Sequence, residues 1–416
     1  MPNRMPSPPT LPLSQRELVL MVASLMALHA LSIDAMLPAL DAIAHQFGVM
    51  SGNERQLVVG VYLLGSGVGC LIPGAFADRY GRRPLLLFSL VANTLLSLAV
   101  SFVTSFSVLL VLRTLQGIFN AGLLVVPNAV VRDRYQGDQM ARLLSMIGAV
   151  FIIVPVIAPS FGQLILLFEG WRWIFRILAL MTVCVGLWVT LRLPETLDPA
   201  NRQEVNVPVI WRNMRSSLSA RGSIGYVLAA PLMIGAVFGY INSAQQLVAE
   251  HLGAGDRFPL VFGAMTSAMI VTNLVNSRIV ERFGARRVSH SGVIAFILVS
   301  MAQLYVAIYH DGELLWFMPL LAMNLGLIGF LGSNFSSIAL QPFAHIAGSA
   351  ASMQAFIRLL GASLVGMAIG QSYDGTARPF AASLLMCSAT ALLLVLYSER
   401  GKLFRRLIPP GGERVA

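Results

Sequence analysis

Two charged side chains of opposite sign interrupt long apolar runs in the first third of this sequence. Asp34 lies in LHALSIDAMLPAL, and Arg113 lies in LVLRTLQGIFNAG. Because an ionised group in hydrocarbon is costly, a charge retained there indicates a functional site with a partner elsewhere in the bundle. Burial favours the neutral form of a carboxyl, whereas a nearby guanidinium favours the ionised form. We therefore predict that Asp34 binds and releases a proton, and that the permanently charged Arg113 adjusts its proton affinity.

The positions of these two residues within their apolar runs place them at the same depth. Asp34 comes six residues before Leu40, and Arg113 comes six residues after Ser107. At a helical rise of about 1.5 Å per residue, each lies roughly 9 Å from the same membrane face. The two side chains are therefore predicted to face each other. The alternative is a static ion pair that only fixes helix packing, and it is disfavoured because Asp34 is the only acid within the predicted spans.

Further polar residues extend this candidate site. Arg113, Gln116 and Asn120 follow one another at i, i+3 and i+7, so they share one helix face and predict a polar stripe beside a cavity. His29 lies on the same predicted helix as Asp34, and imidazole titrates near neutral pH. Two interpretations of His29 remain open: participation in proton transfer, or a neutral, hydrogen-bonded packing role.

The composition of the chain identifies the medium in which these residues lie. Hydrophobic residues make up 56% of the 416 residues, charged residues make up 12%, and the mean hydropathy is +0.74. About a quarter of the residues of a soluble domain are charged, so this chain is predicted to be an all-α, polytopic membrane protein. All three cysteines lie in apolar runs. That placement argues against a disulfide framework, a metal site or thiol catalysis.

An enzymatic role is not supported by the residue pattern. A membrane-embedded enzyme needs a nucleophile and base, a metal cluster or a cofactor loop. None of the six histidines stands at a ligand-like spacing from cysteines or acids. We therefore expect no catalytic residues, no metal and no cofactor.

Twelve apolar stretches are long enough to cross a bilayer, each being roughly 20 residues long. They run near 18–40, 56–76, 85–103, 107–130, 143–167, 171–191, 225–248, 259–280, 289–309, 314–336, 349–371 and 379–398. The Pro-rich segment before the first stretch carries no cleavage-type site, and the stretch has full length. We therefore expect an uncleaved first span.

The basic residues predict how these spans are oriented. Most of the 29 lysines and arginines fall in the termini and in the loops on the same side, which places both termini in the cytoplasm under the positive-inside rule. The net charge of +10 is therefore attributed to topology rather than to nucleic-acid binding. The arginines on the opposite side are Arg55, Arg172, Arg176, Arg257 and Arg378.

An internal repeat divides the chain into two halves. DRYGRRP begins at Asp78 after the second predicted span, and ERFGARRV begins 203 positions later, after the eighth. The predicted divisions are a tail over 1–17, a six-helix half over 18–192, a linker over 193–222, a second half over 223–398 and a tail over 399–416. Two parallel halves with a substrate site between them are a known transporter plan.

Several motifs of this chain resemble one transporter family. GAFADRYGRRPL resembles the loop signature of the major facilitator superfamily, and LRTLQG, the Pro-rich fifth span and LPETL resemble its drug:proton antiporter branch. LSIDAMLPAL, NSRIVERFGA and SNFSSIALQPFAHIAGSAASMQAFIR are similar to the bicyclomycin/chloramphenicol-resistance (Bcr/CflA) subfamily. The resemblance covers nearly the whole chain. It implies twelve transmembrane helices in two halves, in the inner membrane of a bacterium.

The resemblance also implies roles for two sets of residues. The loop after the second span is expected to be a conformational latch, with contacts present in one state and broken in the other. Its residues are Gly74, Asp78, Arg79, Gly81 and Arg82. The antiporter helix is expected to carry Pro155, Pro159 and Gly162, although Ala158 and Gln163 depart from the usual motif.

The function implied is export of drug-like small molecules in exchange for protons, by a monomer working through alternating access. Asp34 is then expected to bind the proton and a cationic part of the drug in alternation. Polar side chains within spans supply the candidates for substrate contact, and for each the alternative is a hydrogen bond between helices. These candidates are Tyr62, Gln116, Asn120, Met146, Asn242, Gln245, Gln246, Asn334 and Arg358. Two other functions remain open: a proton-coupled importer or exporter of a small metabolite, and a non-transporting receptor, which the buried acid disfavours.

Overall fold

The computed structural model describes residues 13–49, 51–135, 137–199, 202, 220–311 and 313–404. Within these ranges the chain forms fourteen α-helices and no strands. In chain order the helices are α1 (Gln15–Asp34), α2 (Leu40–Phe47), α3 (Gly52–Gly69), α4 (Leu71–Tyr80), α5 (Arg82–Phe102), α6 (Phe106–Arg134), α7 (Gly137–Phe168), α8 (Arg172–Arg192), α9 (Arg221–Ala244), α10 (Phe258–Phe283), α11 (Ala285–Tyr309), α12 (Leu314–Leu340), α13 (Ala347–Gln371) and α14 (Arg378–Ser398).

The predicted all-α fold with twelve spans is confirmed. Eleven helical segments of the described chain are long and apolar enough to cross a membrane, and α3 with α4 supplies a twelfth, bent by 44°. The first span is longer than expected, because a 3₁₀ turn at Leu37–Ala39 carries the helix on into α2. The seventh span likewise continues from α9 through a π-helix at Gln245–His251. Most of the predicted linker, and the outer parts of both tails, lie outside the described residues.

The helices pack in two groups that meet along two seams. In the first group α3 packs on α6, α5 packs on α8 and α1 packs on α7; in the second, α9 packs on α13 and α14, and α11 packs on α12. The seams between the groups are formed by α3 with α13 and by α7 with α10. Each seam joins helices from different sides of the chain's midpoint, so motion of one group against the other must shift the helices at these contacts.

Glycines allow α3 to pack closely against two neighbouring helices. A Cβ on Gly69 would lie 2.8 Å from Ile118 Cα of α6, and a Cβ on Gly67 would lie 2.8 Å from Leu360 Cα of α13. Small residues let helices in a membrane approach to backbone contact. Helix α3 therefore packs tightly against its own group on one face and against the second group on another.

The internal repeat is also present in the backbone. Gly81 has φ +108° and Gly284, 203 positions later, has φ +84°. Both values lie in a region that residues with a Cβ rarely adopt. Each glycine ends one helix and starts the next, between α4 and α5 and between α10 and α11. The two motifs thus build the same turn in both groups.

Hydrogen bonds and an ion pair close one end of the bundle, where α3 begins; we call this the closed end. Arg55 of α3 lies 2.8 Å from the Asp41 carboxylate in its own group and 2.5 Å from the Glu250 carboxylate in the other. Gln56 donates to Gln246 across the same seam. Asn53 donates to the carbonyl of Gln371, the last residue of α13, at 3.1 Å and to that of Tyr373 at 3.0 Å. We call the opposite end, where α1 begins and α14 ends, the termini end.

Loss of the Glu250 charge should loosen the closed end. In Glu250→Gln, Arg55 keeps its ion pair with Asp41 but loses its ionised partner across the seam. Ala244 is fully buried, so a cysteine at this position reports on opening. We expect that cysteine to react faster with a water-soluble maleimide in the variant. A several-fold increase is expected, since a partly exposed pair contributes only about 0–1 kcal/mol. The control is Glu54→Gln, which removes the charge of an exposed acid next to Arg55 on α3. Equal labelling of both variants would show that the pair does not hold the seam. The background is cysteine-free, with serine at Cys70, Cys184 and Cys387.

Candidate functional site

Asp34 is the last residue of α1, at the point where the chain turns into a 3₁₀ segment. The residue is 3% exposed. Its Oδ1 atom is buried and makes no hydrogen bond with any described residue. A buried polar atom without a partner is costly, and such atoms concentrate at functional sites. Asp34 is therefore buried and unpaired within the part of the chain that the structure describes.

Arg113 of α6 is fully buried, and each of its three nitrogens donates a hydrogen bond. Nε donates to the Val58 carbonyl at 3.2 Å, Nη2 to the Ser32 carbonyl at 2.9 Å and Nη1 to Gln116 Oε1 at 2.6 Å. The guanidinium also lies 4.3 Å from the centre of the Tyr62 ring, a cation–π contact. Arg113 thus joins α1, α3 and α6, and its charge is solvated by carbonyl dipoles and an aromatic face.

The predicted direct pairing of Asp34 with Arg113 is absent from this conformation. The estimate of depth was sound, because Arg113 bonds to Ser32, two residues before Asp34. However, no nitrogen of Arg113 lies within 4.0 Å of the carboxylate among the ion pairs of the described residues. Helical rise is enough to place both residues at one level, but the competition of backbone carbonyls for the guanidinium depends on the packing of the helices.

A polar network extends from Arg113 through the first group of helices. Gln116 donates to Asn93 at 3.0 Å, and Asn120 donates to the same Asn93 oxygen and to the Tyr62 hydroxyl, each at 3.0 Å. That hydroxyl lies 3.2 Å from His29 Nδ1. All these residues are buried. In this conformation Tyr62, Gln116 and Asn120 therefore hold helices together, and His29 is hydrogen-bonded within the same network.

Tyr240 of α9 brings the second group of helices to Asp34. Its side chain is 1% exposed, and its hydroxyl, like Asp34 Oδ1, has no hydrogen-bond partner among the described residues. The Tyr240 hydroxyl and the Asp34 carboxyl are close enough to interact electrostatically. The Tyr240 ring stacks on Phe262 with centroids 5.3 Å apart and planes 13° apart. Tyr240 did not figure among the sequence candidates, and its only sequence signal is a polar aromatic residue near the end of an apolar span.

Gly162 connects the Pro-containing helix α7 to the Asp34 turn. A Cβ at Gly162 would overlap the Ala35 carbonyl group, with its carbonyl carbon at 2.8 Å. The two prolines of the expected antiporter helix, Pro155 and Pro159, both lie inside α7. Helix α7 also forms one of the two seams. The motif helix therefore lies directly against the residue that follows Asp34.

The remaining substrate candidates do not converge on one cavity in this conformation. Asn242, Gln245 and Gln246 lie buried near the closed end, each with an unpaired polar atom. Asn334 donates to Asn276 at 3.0 Å, and Arg358 donates to Ser336 at 2.9 Å; all four residues belong to the second group. Met146 is 40% exposed on α7. These residues therefore fall into separate places.

The loop expected to act as a latch is tied to its own group of helices. Arg82 lies 2.5 Å from Asp78 and 2.9 Å from Asp133 at the end of α6. The backbone N–H groups of Arg82 and Arg83 donate to the Glu195 carboxylate at 2.9 and 3.1 Å. This carboxylate caps the start of α5, where an anion is favoured by the helix dipole.

The other latch candidates differ in their surroundings. A Cβ on Gly81 would overlap the Glu195 carboxylate, so Gly81 lets that carboxylate approach the backbone. A Cβ on Gly74 would meet nothing within 4 Å, and Arg79 is exposed. Glu195 and Asp133 were not predicted as site residues. Glu195 did lie in the LPETL motif, where a conspicuous acid beside an arginine-rich loop was the available signal.

The fold and the buried charges define a class, the polytopic membrane transporters. Residues 22–366, more than half of the chain, match the family model of the Major Facilitator Superfamily. The chain therefore belongs to the major facilitator superfamily. The solved structure of a D-xylose-proton symporter is similar over 91% of this chain and 96% of the symporter chain, with a TM-score of 0.70 and 15% sequence identity. A nucleoside transporter, NupG, gives a TM-score of 0.69 at 15% identity, covering 92% of this chain and 99% of its own.

Curated relatives narrow the assignment. A bicyclomycin resistance protein homolog of Haemophilus influenzae is 27% identical over 90% of this chain and 94% of its own length. A chloramphenicol resistance protein of Pseudomonas aeruginosa is 27% identical over 80% and 78%. The multidrug resistance protein MdtL of Shewanella sp. (strain ANA-3) is 30% identical over 79% and 82%. The predicted membership of the Bcr/CflA subfamily is thereby confirmed.

Gly162→Ala tests the contact between α7 and the Asp34 turn. The added methyl must displace backbone, so we expect a loss of about 1–3 kcal/mol in stability and a loss of transport larger than the loss of folded protein. Gly148→Ala, on the same helix with open space around its Cβ, should change stability by less than about 0.5 kcal/mol. Thermal unfolding and transport per folded molecule check both variants. Full transport in a folded Gly162→Ala protein would contradict the contact's importance.

Asp78→Asn tests the latch. Asp78 is 38% exposed and Arg82 retains Asp133, so the variant should fold with a change of at most about 1 kcal/mol, yet transport more slowly. Asp133→Asn should instead lower stability, because its carboxylate is more buried and also accepts a bond from Thr196. The measurement is turnover per correctly folded molecule. Normal turnover in Asp78→Asn would remove the latch role.

Proposed function

We propose that this chain exports drug-like small molecules in exchange for protons, with Asp34 as the proton-carrying group. The observation that carries the proposal is the buried and unpaired Asp34 carboxyl, which lies within electrostatic range of Tyr240 from the other group of helices. A carboxyl at the junction of two moving halves changes its surroundings whenever one half rocks against the other. Such a change alters its affinity for a proton.

The hydrogen bonds of Arg113 support a role in which it positions Asp34 and does not form an ion pair with it. Its contacts with Val58, Ser32 and Gln116 fix the end of α1 relative to α3 and α6, and so fix the position of Asp34. A fixed positive charge in the same half still favours ionisation of Asp34 when water reaches it. Arg113 therefore positions and biases the proton site without neutralising it.

The contacts at the closed end support a conformation in which the bundle is open at the termini end. Arg55, Gln56 and Asn53 join the halves at the closed end, which supports a state that is shut on that side. With both termini in the cytoplasm, as the distribution of basic residues predicts, this is an inward-open state of a bacterial inner-membrane protein. A monomer suffices for this mechanism, since both halves belong to one chain.

The names of the relatives support a drug substrate. They are bicyclomycin, chloramphenicol and multidrug resistance proteins, and their similarity covers most of this chain. The candidates Asn242, Gln245 and Gln246 retain unpaired polar atoms at the seam and are proposed to contact substrate when the closed end opens. The other candidates, including Asn334, Met146 and Arg358, remain proposals of lower rank because they lie apart.

The function is tested by a growth-inhibition panel of unrelated antibiotics and lipophilic cations. Cells that express the chain should withstand several chemical classes and accumulate less drug. Protection against none, together with solute uptake, would instead establish a proton-coupled importer. Proton movement on substrate addition to proteoliposomes separates either transporter from a receptor, which would move no protons.

Asp34→Asn should abolish proton-driven export while preserving the fold. Asparagine is nearly isosteric but cannot titrate, so binding of drug can persist while a pH gradient no longer drives transport. Asp34→Glu, which still titrates, should keep partial activity. The measurement is substrate accumulation in proteoliposomes with and without a pH gradient. Gradient-driven transport by Asp34→Asn would exclude Asp34 as the proton carrier.

Tyr240→Phe should slow exchange about ten- to a hundredfold without unfolding the protein, since it removes only a hydroxyl that has no partner in this state. We expect the hydroxyl to bond the Asp34 carboxyl, and the loss of one hydrogen bond to a charged group amounts to about 1.5–3 kcal/mol. Tyr305→Phe, at a tyrosine 58% exposed on α11, is the matched control. Identical exchange rates in the two variants would argue against a role for Tyr240.

A further inference from the structure

A groove on the periphery of the second group of helices takes no part in the proposed exchange. It has a volume of about 410 Å³ and lies between α10, α11 and α12. That volume is within the range of small-molecule sites, and the lining is mainly apolar. The apolar residues that line it include Ile279, Phe283, Val288, Gly292, Leu327 and Phe330.

The groove has the length of one leaflet of a bilayer. It runs along α11 from Arg287, in the first turn of the helix, to Ala295. Eight residues of α-helix correspond to about 12 Å. One leaflet contributes about half of the roughly 30 Å hydrocarbon thickness. Helices α10 and α11 are long and apolar enough to cross a membrane, so a groove that starts in the first turn of α11 corresponds to a depth from the membrane surface to about the bilayer centre.

A cation stands at the surface end of this groove. Arg287 is exposed, and of its five N–H donors the contacts of the described residues use only Nε, which donates to the Phe404 carbonyl at 3.0 Å. The preceding residue is committed elsewhere, since Arg286 donates to Glu399 at 2.8 Å and to Gln341 at 2.9 Å. Arg287 is thus the arginine that remains available to an anion beside the groove.

Phe404 forms one wall of the groove and is firmly held there. Its backbone N–H donates to His290 Nδ1 at 2.9 Å, and its ring contacts the His290 ring at 5.8 Å. Phe404 has φ +63°, a conformation that bulky residues rarely adopt and that needs surrounding contacts to maintain it. The wall beside Arg287 is therefore part of a built structure and not a loose end of the chain.

We propose that this groove binds an anionic phospholipid of the surrounding membrane, with an acyl chain between α10, α11 and α12 and the phosphate at Arg287. Charge complementarity identifies this occupant: an apolar groove of leaflet length meets a cation at headgroup level, which is where basic residues bind anionic lipids. The proposal concerns a site away from Asp34, so it does not depend on the direction or substrate of transport.

The test measures lipid retained by the purified full-length chain. Native mass spectrometry after exchange into defined detergent, with phosphatidylglycerol and phosphatidylethanolamine of identical acyl chains, should show preferential retention of phosphatidylglycerol. Arg287→Gln should lower that retention about fivefold, the factor for one cation at an anionic headgroup. Ala295→Phe, which fills the groove, should lower retention of both lipids. Thermal unfolding gives a second readout, since phosphatidylglycerol should raise the midpoint of the wild type more than that of Arg287→Gln.

Two matched variants control for charge and for added bulk. Arg132→Gln removes an exposed arginine at the termini end of the first group, and Ala99→Phe adds a ring on the exposed face of α5. Both should retain lipid like the wild type. Loss of lipid in these controls, or no headgroup preference in the wild type, would overturn the proposal. Phosphatidylglycerol retention by Arg287→Gln equal to that of the wild type would likewise overturn it.

Discussion

The burial of a full positive charge among three helices is the constraint on which the first half of this protein depends. Arg113 sits at hydrocarbon depth, and carbonyls of α1 and α3 together with a side chain of α6 solvate its guanidinium. In hydrocarbon each of these groups must find a protein partner. The helices can therefore meet in only one register. Because backbone oxygens satisfy the cation, the carboxyl of Asp34 remains unpaired and free to respond to the second half.

A similar arrangement occurs at the termini end, where each half uses one glutamate to anchor the start of a helix. Glu195 follows α8 and binds the backbone at the start of α5; Glu399 follows α14 and binds Arg286 at the start of α11. In each half an acid beyond the last helix anchors the turn made by a glycine of positive φ, Gly81 or Gly284. Rigid halves of this kind let motion concentrate at the two seams.

Sequence predicted the elements of this fold well and the pairings within it less well. Apolar length alone located all twelve spans, because a bilayer demands it, and helical rise placed Asp34 and Arg113 at one level. Which donor bonds to which acceptor depends on the direction in which each side chain points around its helix axis. That direction relative to the neighbouring helices cannot be read from a single sequence. Hence the sequence does not single out Tyr240, which interacts electrostatically with Asp34 from the other group of helices. For the same reason the sequence does not show that Tyr62, Gln116 and Asn120 belong to one hydrogen-bonded network in this conformation.

The ion pairs at the closed end carry a consequence for the environment of the cell. Arg55 is itself largely buried, but the two carboxylates that share it are 53% and 45% exposed. Mobile ions can therefore screen them, with a Debye length of about 8 Å at physiological ionic strength and about 3 Å at 1 M. The hydrogen bonds of Asn53 and Gln56 are insensitive to such screening. High salt on the side of the membrane that the closed end faces would then favour opening of this end, so the resting conformation of the protein would depend on the ionic strength there.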